Sequence, residues 1–153
     1  MALEYDQIKQ GLMQAIPFNR HVGLAYESVG HGTATVTLSD RTEVQNHVGS
    51  LHAGALFTAG EAASGGAFAG AFGERMGELT ALAERAEIDY RKIARGTVTV
   101  EGRFGEDVDA LLEKLEQERR VRFPVEVEMT NGGGETVATM TVQWYVRRND
   151  NAS

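Results

Sequence analysis

The sequence contains no cysteine, and that absence removes disulfides, thiolate catalysis and cysteine-rich zinc sites together. Basic residues are also short: 15 Lys and Arg stand against 22 Asp and Glu, a formal net charge of -7. Phosphate-backbone affinity rests on clustered Lys and Arg, so this balance argues against a nucleic-acid partner. A small anionic ligand held by a local basic patch stays compatible with it. The N-terminal stretch MALEYDQIKQGLMQAIPF lacks the basic start and continuous apolar run of a signal peptide. No G-x-S-x-G elbow, P-loop or dinucleotide fingerprint occurs. The four histidines, His21, His31, His47 and His52, have no metal-ligand spacing, so no metal is expected.

What is present is 153 residues, 42% hydrophobic and 24% charged, enough for one domain with a sizeable core. The chain reads as a single domain over residues 1–153, without repeat or linker, with a flexible polar tail over about 149–153. Ile8, Leu12, Ala15 and Ile16 recur at helical spacing, predicting a helix over about 4–16 that Pro17 stops. HVGLAYESVGHGTATVTLSD predicts two strands around a glycine turn, with Ala34, Val36 and Leu38 on one face. Ala86, Ile88 and Tyr90 alternate with charged residues, as in a half-exposed strand, and TVTVEGRF predicts another. Val108, Leu111, Leu112 and Leu115 form the stripe of a short helix. The last segment predicts two strands about a glycine-rich turn, with Ala138, Met140, Val142, Trp144 and Val146 on one face. Six strands with turn-linked pairs at both ends imply a mostly antiparallel sheet packed on a helix, an α+β fold.

One stretch does not fit ordinary patterning. From Leu51 to Gly73 the only Asp, Glu, Lys or Arg is Glu61. A carboxylate among small apolar residues is costly unless it is paired, hydrogen-bonded or protonated. The run is long enough to be tested as a membrane span, but it carries that central Glu and five glycines between Ala53 and Phe72. A soluble cytoplasmic protein is the expectation. Each glycine costs roughly 1 kcal/mol relative to alanine in an exposed helix, so a helix here must be enclosed by a curved sheet or a partner chain. Gly65-Gly66 is where it would break.

Asn46, Gly49, His52, Gly54 and Glu61 spell N-x-x-G-x-x-H-x-G with Glu nine residues after His52. This segment resembles the hotdog-fold acyl-CoA thioesterases, in particular the phenylacetate-type branch, whose pattern is N-x-x-G-x-x-H-G-G followed by Asp or Glu on a central helix. The likeness continues through AEIDYRKIARGTVTVEGRF and through the element order. It implies a curved antiparallel six-stranded sheet wrapped around a long central helix. The H-A-G of this sequence, in place of H-G-G, points to a less characterised thioesterase-like branch.

By that resemblance Glu61 is the general base or nucleophile toward the thioester carbonyl, Asn46 orients the water or carboxylate, and the Ala53 backbone N–H polarises the carbonyl. An N–H survives the exchange of glycine for alanine, and helix N-termini favour developing negative charge. Gly49, His52 and Gly54 shape the substrate loop. Ser64, one turn after Glu61, is a candidate for holding water in the same cavity. Arg91, Lys92 and Arg95 form a basic cluster able to meet the phosphates of coenzyme A. The implied substrate is an acyl-CoA or acyl-carrier thioester, with coenzyme A part of the substrate and no other cofactor. The implied assembly is a homodimer, or two dimers paired into a tetramer, with no nucleic-acid or membrane partner. The alternative on the same fold is a non-catalytic acyl-CoA or fatty-acid binding module.

Overall fold

The computed structural model describes residues 4–150. The chain runs α1 (Tyr5–Ala15), α2 (Pro17–Val22), β1 (Leu24–Gly30), β2 (Thr33–Leu38), α3 (Ala53–Phe72), β3 (Leu79–Tyr90), β4 (Val98–Phe104), α4 (Val108–Glu118), β5 (Arg120–Thr130) and β6 (Thr136–Arg148). Pro17 does end the first helix. It also starts a second one, because its fixed φ suits the first helical position, where no N–H is needed.

The six strands form one antiparallel sheet in the order β1-β2-β4-β5-β6-β3. Its curved inner face wraps α3, which is the hotdog arrangement. Period-two alternation does the sorting: Val36 and Leu38, Val98 and Val100, Val125 and Val127, and Val142 and Val146 are all buried. The stripe of α4 behaves likewise, with Val108, Leu111 and Leu115 buried. Among the described residues, no helix is long and apolar enough to cross a membrane.

The 20 residues of α3 are continuous, without a break at Gly65-Gly66. Enclosure outweighs propensity here. A Cβ at Gly70 would collide with the Gly30 carbonyl oxygen, and one at Gly66 would lie 2.8 Å from the Ala34 Cβ. The glycines thus let α3 lie closer to the sheet than any other residue would allow. His52 caps the helix: its backbone is extended and its Nδ1 accepts the Gly54 N–H at 2.8 Å.

At the far edge, β3 pairs only with β6 among the described strands. Its middle, Leu82 to Arg85, is exposed, with Leu82 at 56%. Asn149, beyond β6, is held by the Thr80 hydroxyl at 2.6 Å and by its own N–H to the Glu78 carbonyl. The remainder of the tail, 151–153, lies outside the described residues.

Candidate functional site

Most of α3 is buried, but Gly54, Phe57, Thr58, Glu61 and Gly65 are open to differing degrees. Their spacing is that of one helical stripe. Glu61 is half-buried on it. Burial pushes its carboxyl above the usual glutamate range, and among the described residues no side-chain hydrogen bond or opposite charge offsets that burial. Tyr26 is the titratable group that feels it: burial first, and the Glu61 charge second, push its phenol well above the usual tyrosine value.

The helix N-terminus supplies the complementary feature. Ala55 and Leu56 donate to the His52 carbonyl and Gly54 donates to the His52 ring. The Ala53 N–H, exposed at the first helical position, has no acceptor among the described residues. The Ala53 carbonyl accepts the Tyr90 hydroxyl at 2.8 Å.

Asn46 is spent on its own loop. Its Oδ1 accepts the N–H groups of Val48 at 3.0 Å and Ser50 at 3.1 Å, and its Nδ2 donates to the Ser50 hydroxyl at 2.9 Å. Gly49, at φ 74°, supplies the left-handed turn this loop requires. Arg95 clamps the same loop by donating to the carbonyls of Gly49 and Val48. Lys92 pairs with Glu135. Arg91 rests on the Thr139 hydroxyl, at 3.2 and 3.1 Å, and pairs with no carboxylate among the described residues. Ser64 is fully buried, its hydroxyl donating to the Glu61 carbonyl and accepting from the Trp144 indole.

Two clefts flank the first turns of α3. One, of about 350 Å³, brings together Asn46, Ala53, Tyr90, Arg91 and Lys92. The other, of about 610 Å³, is lined by Phe18, Val22, Val44 and Ala55, with His21, His52, Gly54 and Thr58. The structure therefore gathers Asn46, Ala53 and two of the three basic residues, sets His52 and Gly54 toward the second cleft, and leaves Glu61 about two turns further along the helix. Tyr26, Tyr90 and Trp144 also belong to this neighbourhood. In the sequence they sit at strand positions where an aromatic residue reads as core, and no periodicity shows where a hydroxyl or indole N–H will point. No group of three or more His, Asp or Glu able to hold a metal occurs among the described residues.

Residues 5–146 match the family described as a domain of unknown function (DUF4442), and the chain belongs to that family. No match was found among curated proteins. Among solved structures it is similar to PA5026 of Pseudomonas aeruginosa, a protein of unknown function also named "Probable Thioesterase". That match has 24% identity and a TM-score of 0.84, covering 97% of this chain and 99% of that one. It is also similar to the E. coli PaaI protein from the phenylacetic acid degradation operon, at 20% identity and a TM-score of 0.71 over 95% of this chain and 94% of that one. A third is a hypothetical thioesterase of Streptococcus pneumoniae solved with coenzyme A. It has 21% identity and a TM-score of 0.65, covering 83% of this chain and 89% of that one. At these identities the likeness is one of fold, and the fold it shares is the hotdog arrangement.

Proposed function

We propose that this protein hydrolyses acyl-CoA thioesters, with Glu61 as the base. The observation that carries the reading is an unpartnered, half-buried carboxylate whose proton affinity burial has raised, on the open stripe of an otherwise enclosed helix. Such a group suits proton abstraction near neutral pH. Glu61 takes a proton from water, whose oxygen attacks the thioester carbonyl carbon. The oxyanion is met by an unsatisfied helix N-terminal N–H, that of Ala53. The C–S bond then breaks, and the thiolate leaves with the proton that Glu61 took.

Geometry supports a two-subunit site. Ala53 and Glu61 lie eight residues apart on one helix, about 12 Å along its axis at 1.5 Å per residue. One carbonyl cannot touch both. In the proposed homodimer, Glu61 of one subunit works with Ala53 of the partner subunit. The exposed edge of β3 is the surface that would join two sheets, since a long unpaired edge is a template for strand addition. Whether two such dimers pair into a tetramer is set by the outer faces of the sheets. The acyl group takes the cleft of about 610 Å³ beside Gly54 and Thr58, while Arg91 meets the nucleotide phosphates. Asn46 serves by holding the loop that leads into Ala53.

The test is thiol release from short, medium, long-chain and aryl-CoA thioesters, comparing wild type with Glu61→Ala. Loss of a positioned base costs roughly 10²–10⁴-fold. A variant that kept the full rate would defeat the mechanism. Saturable acyl-CoA binding without thiol release, little changed in Glu61→Gln, would instead establish the binding-module alternative.

A further inference from the structure

Two buried relays end on adjacent backbone carbonyls at Glu61. In the first, Asn19 Nδ2 donates to the Tyr26 hydroxyl at 3.3 Å, and that hydroxyl donates to the Ala62 carbonyl at 3.2 Å. In the second, the Trp144 Nε1–H donates to the Ser64 hydroxyl at 3.2 Å, and that hydroxyl donates to the Glu61 carbonyl at 2.7 Å. The proton directions are forced. An indole and an amide nitrogen only donate, so each hydroxyl must accept from it and send its own proton to the carbonyl.

The relays approach α3 from opposite sides. Asn19 and Tyr26 belong to α2 and β1; Trp144 belongs to β6. Asn19 and Tyr26 are each 4% exposed, Ser64 is 0% exposed and Trp144 8%. Close packing admits both: a Cβ at Gly66 would lie 3.1 Å from the Tyr26 ring, and Trp144 stacks on Phe68 with centroids 5.5 Å apart. Interior helix carbonyls already accept an N–H four residues on. The Ser64 bond is the usual return of a helical serine hydroxyl to the carbonyl three residues back, while the bonds from Tyr26 and Trp144 come from outside α3. Those two bonds tie the turn that bears Glu61 to β1 on one side and to β6 on the other.

We infer that Asn19–Tyr26 and Trp144–Ser64 are positioning residues that jointly hold Glu61 at the mouth of the site. This rests on the proposed role of Glu61 as base. A helix free to rotate by a fraction of a residue would swing the carboxylate into solvent, with losses of the order seen for 1 Å misplacements of reacting groups.

The experiment compares wild type, Tyr26→Phe, Ser64→Ala and Trp144→Phe, with Ser64→Thr as the conservative variant and Val108→Ala as a control for plain loss of stability. Two quantities are read. The first is titration of the Glu61 carboxyl by ¹³C NMR, its signal assigned by loss in Glu61→Gln. The second is kcat and KM for the best thioester. Each relay variant should move the Glu61 midpoint down toward the ordinary glutamate range and lower kcat about 10- to 100-fold at nearly constant KM. Ser64→Thr should restore both, and Val108→Ala should change neither. Variants that lose thermal stability as Val108→Ala does, with titration and kcat unmoved, would overturn the inference. If wild type releases no thiol, the proposed function fails by itself. The titration still decides the relays: a midpoint that shifts sustains them, and one that stays overturns them. The two relays are independent, so a variant of one that does not fold leaves the other to give the result.

Discussion

The Tyr90 hydroxyl donates to the Ala53 carbonyl at 2.8 Å, tying the last residue of the edge strand to the first turn of the central helix. The bond fixes the helix end whose first residue, Ala53, lines a cleft together with Asn46. Tyr90→Phe removes the bond but keeps the ring. The expected stability loss is small, about 0.5–1.5 kcal/mol for one hydrogen bond. The expected loss of kcat is larger than that stability change alone would give, because the proposed oxyanion donor would lose its anchor. Thermal unfolding and thiol release on the same preparation check it. Equal activity in both proteins would remove Tyr90 from the site.

Glu61 carries a pH signature. Its folded-state proton affinity is raised above that of the unfolded chain, so its contribution to stability is full below the ordinary glutamate value and is lost as pH rises through the elevated one. Glu61→Gln mimics the protonated form at every pH. The variant should match wild type in acid and become the more stable protein as pH rises across that window. Melting temperatures measured from acid to neutral pH test the sign. The same titration predicts that wild-type kcat/KM climbs through the elevated value, above the ordinary glutamate range.

The central helix shows how far sequence reasoning reaches. The period-two faces of β2 and β6 were legible because alternation records burial directly. The candidate residues Asn46, His52 and Glu61 stood out because their spacing is a motif, and the fold sets Asn46 beside Ala53 at one cleft and His52 at the other. Propensity argued against α3 beyond Gly65, and it fails there because the glycines are chosen for contact: Gly66 against Ala34 and Tyr26, and Gly70 against the Gly30 carbonyl. The relays through Asn19, Tyr26 and Trp144 were not legible. They join residues far apart in the chain, and whether an aromatic side chain uses its polar end depends on what the fold brings to it.

The glycine contacts give a contrast between two identical substitutions. Gly70→Ala must push Cβ into backbone, so destabilisation of about 1–3 kcal/mol or more is expected. Gly11→Ala meets nothing within 4 Å on the exposed side of α1, and removing a helical glycine should stabilise by about 0.5–1 kcal/mol. Denaturant unfolding of both variants tests the claim. Equal effects would mean that α3 is not held by close backbone approach.

The proposed two-subunit site predicts that assembly and activity fail together. Leu82, 56% exposed on β3, lies where the proposed dimer joins its sheets. A buried unpaired carboxylate there is costly, so Leu82→Asp should produce a folded monomer with no thiol release. Light scattering with circular dichroism distinguishes a monomer from an unfolded chain. An active monomer would contradict the 12 Å argument, which forbids one subunit from supplying both Glu61 and Ala53 to one carbonyl.

The proposed acyl cleft makes the selectivity testable without touching the chemistry. Phe18 is 61% exposed, and its ring lies 6.5 Å from that of His21 at the cleft beside Thr58. A ring left so open on an apolar-lined cleft gains its burial only when something fills the cleft. Phe18→Ala should therefore spare acetyl-CoA hydrolysis and weaken turnover of longer or aryl acyl groups. One pocket contact of this kind discriminates by about 1–3 kcal/mol, or 10- to 200-fold in kcat/KM. Competition between acetyl and long-chain or aryl substrates, run on both proteins, measures that ratio directly. A uniform loss across all chain lengths would move the acyl group to another surface, with Phe18 reduced to packing on α2.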